Sequence, residues 1–137
     1  MKDKLLIDTS AWIVSFKKAG HEKLKQKIID ALGSASALTT NIIVLEVLQG
    51  CRDRKEYEKM KSYLEALELL TVNDAVWDAA YEAGYALRKA GITVPTVDII
   101  IASLAKVYGC PLLHHDGHFK LIAKRLDIKA VDFIGQG

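Results

Sequence analysis

The stretch that most restricts what this chain can become is Leu5-Leu6-Ile7-Asp8-Thr9-Ser10. Three consecutive apolar residues read as a short strand buried on both faces, which is the habit of a parallel sheet. An acid and two hydroxyls follow with no turn residue between. A strand in the core cannot move far, so the carboxylate at its tip is held rigidly near the domain centre. In open α/β sheets the ligand site lies outside the carboxyl ends of the strands, and Asp8 stands at such an end. Three further acids in hydrophobic settings, Glu46, Asp98 and Asp116, are placed to meet it.

The remaining chain alternates strands and helices. The first strand is Lys4 to Ile7, and Thr9 or Ser10 is suited to cap a helix over Ala11 to Lys17. A second helix, His21 to Leu32, carries Leu24, Ile28, Ile29 and Leu32 at helical spacing and Lys23, Lys25 and Lys27 on its other face. Ala37 to Thr40 reads as a strand. Asn41 then caps a helix, Ile42 to Leu48, that is apolar almost all round and so should be buried. An amphipathic helix over Asp53 to Leu67 turns Tyr57, Met60, Tyr63, Leu64 and Leu67 inward. A third strand covers Leu69 to Val72. The helix capped by Asn73 or Asp74 runs to about Ala90, with Trp77, Ala80, Tyr81, Gly84 and Leu87 on one side. Pro95-Thr96-Val97-Asp98 opens an apolar helix reaching Tyr108, since proline fits a helix start. Leu112 to His114 is a fourth strand, Phe119 to Leu126 a basic final helix, and Ala130 to Phe133 a short fifth strand before the tail Gly135 to Gly137. This order argues for an α/β fold, a three-layer α/β/α arrangement with a central parallel sheet.

With 137 residues, half of them hydrophobic, the chain is expected to form one domain over residues 1–137 with an ample core. No apolar run reaches the roughly 18 residues of a membrane span, and Met1-Lys2-Asp3-Lys4 leads into a strand rather than a signal peptide. Cys51 and Cys110 are far apart and match no metal or redox spacing, so both are expected to stay reduced in a cytoplasmic protein. A net charge of +2 permits a nucleic-acid partner without demonstrating one.

Each acid has an ordinary explanation beside a functional one. Asp8 is a good helix cap at a strand-to-helix turn. Glu46 lies between Leu45 and Val47 in a run with no other charge. It needs a partner if buried, and Arg52 is the nearest candidate. Asp98 suits the first turn of its helix, and Asp116 before Gly117 suits a turn. Taken together, however, four carboxylates at one sheet edge repel, and some would protonate without a cation. A divalent ion removes the conflict. Oxygen ligands favour Mg²⁺ or Mn²⁺ over zinc, and such sites chiefly serve phosphoryl chemistry. Ser10 can support the metal shell or merely cap its helix. His114, His115 and His118 cluster around Asp116 as an alternative zinc site, but their spacing matches no zinc pattern. The aromatic residues at helical spacing are core or a dimer face.

The segments LLIDTSAWI, TTNIIVLEVLQG, VPTVDIIIASLA and LLHHDGHF resemble, in order and interval, the four acidic motifs of PIN domains, and most closely those of VapC toxins from toxin–antitoxin pairs. The resemblance implies a Mg²⁺- or Mn²⁺-dependent endoribonuclease acting on tRNA, rRNA or mRNA. By position, Asp8, Glu46, Asp98 and Asp116 match the family's catalytic metal-binding acids, and Ser10 its supporting hydroxyl. The resemblance also implies a homodimer and a cognate antitoxin whose tail enters the acidic groove. Many relatives carry a further acid where this chain has His118, which puts a strict two-metal mechanism in doubt. Arg52, just past Gly50, is expected to approach the groove and pair with Glu46 or a phosphate. Rival readings are a non-catalytic PIN-like domain that binds RNA or a partner, and a metal-dependent phosphatase or DNA nuclease. A receiver domain fits less well, because it would need paired acids after the first strand and a lysine at a later strand end.

Overall fold

The computed structural model describes residues 4–128 and 130–132. Phe133 and the tail after it lie outside the described residues. Among the described residues five strands form one sheet: β1 (Leu5–Ile7), β2 (Ala37–Thr39), β3 (Glu68–Leu69), β4 (Leu112–His114) and β5 (Ala130–Asp132). Their order is β3-β2-β1-β4-β5, and every neighbouring pair is parallel. Leu5 lies opposite Ala37 and Leu6 opposite Leu38, while on the other side Ile7 lies opposite Leu113. The chain therefore builds outward from β1 in one direction and then returns to add β4 and β5 in the other. This makes the β1/β4 boundary the topological switch point, where open α/β sheets place their ligands.

Among the described residues seven helices cover the sheet: α1 (Thr9–Ser15), α2 (Glu22–Gly33), α3 (Asn41–Gln49), α4 (Arg54–Glu65), α5 (Asp74–Lys89), α6 (Thr96–Tyr108) and α7 (Gly117–Ala123). They pack in two groups, with α1 against α2 and α3 and α3 against α4, and separately α5 against α6 and α6 against α7. Because parallel crossovers are right-handed as a rule, this strand order assigns the first group to one face of the sheet and the second to the other. Leu6, Ile7, Leu112 and Leu113 at the centre are fully buried, as continuous apolar runs in a twice-covered sheet must be.

Several expectations shift. Asp8, rather than Thr9 or Ser10, caps α1 by accepting the Ser10 N–H at 2.9 Å, so the helix begins at Thr9. Helix α3 starts at Asn41 itself, with extended Thr40 at the cap position; the Thr40 hydroxyl makes no capping bond and donates to the Leu70 carbonyl at 2.8 Å instead. Strand β3 sits earlier than Leu69 to Val72. It is an exposed edge, tied by the Lys4–Glu68 ion pair, and an edge needs no apolar run. Helix α3 is not buried all round: Leu45 is 64% exposed. Ile29 and Leu32 of α2 and Tyr63 of α4 point outward, as do Trp77 and Tyr81 of α5. Hydrophobic spacing marks an apolar face but does not tell whether this chain or another molecule covers it.

Candidate active site

Asp8 leaves β1 at its carboxyl end and is 4% exposed. Its Oδ2 accepts two bonds from Ser10, from the N–H at 2.9 Å and from the hydroxyl at 2.5 Å. The Ser10 hydroxyl in turn accepts the His115 backbone N–H at 2.9 Å, which ties the tip of β1 to the segment after β4. Beside Asp8, the Thr9 hydroxyl donates to Glu46 Oε1 at 2.8 Å. Glu46 is thus held toward the sheet edge by a residue of the first motif. That Thr9 does this was not foreseen, although the hydroxyl next to the strand-end acid was the available signal.

Across the switch point, Asp116 caps α7 by accepting the His118 N–H at 2.9 Å. The backbone N–H of Asp116 itself donates to His114 Nδ1 at 3.3 Å. His114 is fully buried against Phe119, and burial holds its pKa down to about 4, so at neutral pH it is the uncharged imidazole needed to accept that bond. Asp98 lies in the first turn of α6, with its side chain 13% exposed. His118 Nδ1 reaches both acids, at 3.2 Å from Asp98 Oδ2 and 3.0 Å from Asp116 Oδ1.

Asp98 and Asp116, with His118, form a group whose potential ligand atoms all lie within 4.8 Å of one another. Asp98 also feels the charge of Asp8, and Asp8 that of Glu46, so the four acids of the motifs interact along one edge. Arg52 does not join them. It sits on the surface in an i,i+4 pair with Glu56 at 3.1 Å, because the start of α4 offers a carboxylate one helical turn away. Nor do the three histidines converge for zinc. His114 faces Phe119, His115 meets the His21 ring edge-on at 5.2 Å, and His118 alone of the three reaches the acids.

The electrostatics show strain between the acids. Burial, then the neighbouring carboxylates of Asp116 and Asp8, push the Asp98 carboxyl up to about 6. Burial also raises Asp8 above the ordinary carboxylate range, against the hydrogen bonds from Ser10. An oxygen-rich edge whose carboxylates resist ionising is the donor set a hard divalent cation fits. A stability consequence follows for the metal-free protein. The folded pKa of Asp98 exceeds the ordinary aspartate value of 3.8. The folded state therefore loses stability as pH rises from about 4 through about 6. Asp98→Asn removes this penalty, so urea unfolding in EDTA at pH 8 will find the variant more stable, by no more than ~3 kcal/mol. At pH 4 most of the difference will be gone, and below about pH 3 it will vanish. A difference that does not change with pH would contradict this account of the edge.

The fold and the edge bear on known proteins. The PIN domain profile matches residues 5–125. The VapC ribonuclease Mb1587 of Mycobacterium bovis is 31% identical over 132 residues, covering 94% of this chain and 98% of that protein. The chain belongs to the PIN-domain family, among the VapC ribonucleases. A second VapC relative, ribonuclease VapC21 of Mycobacterium tuberculosis, is 30% identical over 126 residues, 90% of this chain and 88% of its own. Among solved structures, the DNA-bound VapBC of Salmonella typhimurium superposes with a TM-score of 0.76 at 18% identity, over 96% of this chain and 99% of that one. At that identity the likeness speaks for the shared PIN fold. No helix among the described residues is long and apolar enough to cross a membrane.

Proposed function

We propose that this PIN domain is a divalent-metal-dependent endoribonuclease, the toxin of a VapBC-type pair, acting as a single domain. The observation that carries the reading is the convergence of carboxylates at the β1/β4 switch point of a chain 31% identical to a VapC ribonuclease over nearly its whole length. Asp8, Asp98 and Asp116, with Glu46 beside Asp8, are the residues proposed to hold Mg²⁺ or Mn²⁺. A divalent ion held there would supply Lewis acidity for phosphodiester hydrolysis at neutral pH. The chain's own groups do the positioning. Ser10 orients Asp8 and links it to the segment after β4, Thr9 steadies Glu46, and neutral His114 fixes the backbone of Asp116. The test is incubation of end-labelled small RNA with the purified toxin, freed of any antitoxin, in Mg²⁺, in Mn²⁺ and in EDTA. Discrete fragments that need metal support the reading. Metal binding without any cleavage, or cleavage unchanged in EDTA, counts against it.

The partner is proposed to be a cognate antitoxin. An apolar groove of about 840 Å³ lies between α1, α2 and α4, lined by Trp12, Phe16, Ile28, Ile29, Met60 and Tyr63 among others. Phe16, Ile29 and Tyr63 are each more than half exposed, a cost a chain tolerates where a partner covers the surface. An amphipathic antitoxin helix laid in this groove would bury them. Phe16→Asp is expected to weaken antitoxin binding by about 2 kcal/mol or more, roughly 30-fold, as loss of an aromatic anchor does. RNA cleavage by the free toxin should be unchanged. Titration calorimetry and the cleavage assay read the two effects separately. The exposed α5 residues Trp77, Tyr81 and Tyr85 are a candidate face for a homodimer.

A further inference from the structure

We propose that His118 is a nitrogen ligand beside Asp98 and Asp116, and that it makes the site prefer Mn²⁺ to Mg²⁺; this rests on the metal-dependent reading above. The geometry comes first. His118 Nδ1 stands 3.2 Å from Asp98 Oδ2 and 3.0 Å from Asp116 Oδ1. Neighbouring donors around an octahedral ion with bonds of about 2.1 Å lie about 3.0 Å apart. The imidazole nitrogen is thus already at ligand spacing from both carboxylates. Its place is not incidental. The His118 N–H is bound by the Asp116 carboxylate at 2.9 Å, and the next residue, Phe119, is fully buried, so the backbone carrying the ring is anchored on both sides.

The ligand type then sets the preference. Mg²⁺ takes oxygen ligands and gives up its waters reluctantly. An imidazole nitrogen favours first-row transition ions, while carboxylates suit Mn²⁺ as well as Mg²⁺. A set of two carboxylates and one imidazole, with Asp8 close enough to raise the pKa of Asp98, suits an ion that accepts both donor types. Mn²⁺ does so without the tetrahedral nitrogen and sulfur shell that zinc prefers. The same contacts would also suit a different role, in which the imidazole is a built-in countercharge standing where the ion would sit. The two roles have opposite consequences when His118 is removed.

The experiment is titration calorimetry of the full chain with MnCl₂ and with MgCl₂, in wild type, His118→Ala, His118→Asp and Asp98→Asn. Pulsed electron paramagnetic resonance of the Mn²⁺ form is recorded in parallel. Wild type should bind Mn²⁺ at least about tenfold more tightly than Mg²⁺. His118→Ala should lose about 10- to 100-fold in Mn²⁺ affinity, the size of loss seen when a metal site loses a supporting group. Its Mg²⁺ affinity should change little, and His118→Asp should shift the preference toward Mg²⁺. The wild-type spectrum should carry the ¹⁴N coupling of a bound imidazole, which needs no variant to fold. Equal Mn²⁺ affinity in His118→Ala, tighter binding there, or no ¹⁴N coupling in wild type overturns the proposal. If Asp98→Asn abolishes Mn²⁺ binding while the His118 variants retain it, this inference fails alone. If Asp98→Asn also binds Mn²⁺ like wild type, the metal-dependent reading fails with it.

Discussion

Asp8→Asn is expected to reduce RNA cleavage by about three orders of magnitude or more, while leaving the fold intact. The first half follows from charge. Asp8 is the buried acid at the switch point, and a metal's stabilisation of the transition state is worth several kcal/mol, with every 1.4 kcal/mol or so a factor of ten. The second half follows from the cap. Asparagine keeps an oxygen to accept the Ser10 N–H, and it caps helices about as well as aspartate. The substitution therefore removes the charge and keeps the local geometry. Initial rates on one RNA substrate, with far-ultraviolet circular dichroism of both proteins, provide the check. Cleavage within tenfold of wild type would remove Asp8 from the catalytic set.

Phe119→Ala should cost about 3–5 kcal/mol of stability, the usual range for deleting a large aromatic from a packed core. Phe119 is fully buried and touches the His114 ring, with centroids 5.1 Å apart. It seats α7 on the sheet directly after the two residues that reach the acidic edge. The cavity left behind would loosen α7, so metal affinity should fall together with stability. Urea denaturation in EDTA measures the first effect without interference from bound ion. A loss below about 1 kcal/mol would mean that α7 is not seated as described.

Most of the fold was legible because two strong signals agree. Apolar runs such as Leu5-Leu6-Ile7 and Leu112-Leu113 specify strands covered on both sides, and the helices at Asp53 and Asn73 start within a residue of where expected. The shifts at Thr9, Asn41 and Leu69 arose where a side chain was taken by a longer-range bond or where a strand lay at an edge. Thr40 donates to Leu70, thirty residues on, and no local rule anticipates that. Arg52 illustrates the opposite case. Proximity in sequence to Glu46 suggested a pair, but the first turn of α4, just after Arg52, offered Glu56 at 3.1 Å.

The amino-acid order by itself determined that acids stand at strand ends and at the starts of helices, because burial of the strands and the chemistry of caps are local properties. It also determined that apolar faces exist on α2, α4 and α5. Only the tertiary structure decided which acids share an edge, since strand order and crossover are set by packing of distant segments. It alone turned His118 from a departure within the last motif into a group 3.0 Å from Asp116 and 3.2 Å from Asp98. It alone showed that Phe16, Ile29 and Tyr63 line an open groove rather than the core. The physical reason is the same in each case. Periodicity records which side chains avoid water, whereas the neighbour that shields or binds each one is fixed by contacts between residues far apart in the chain.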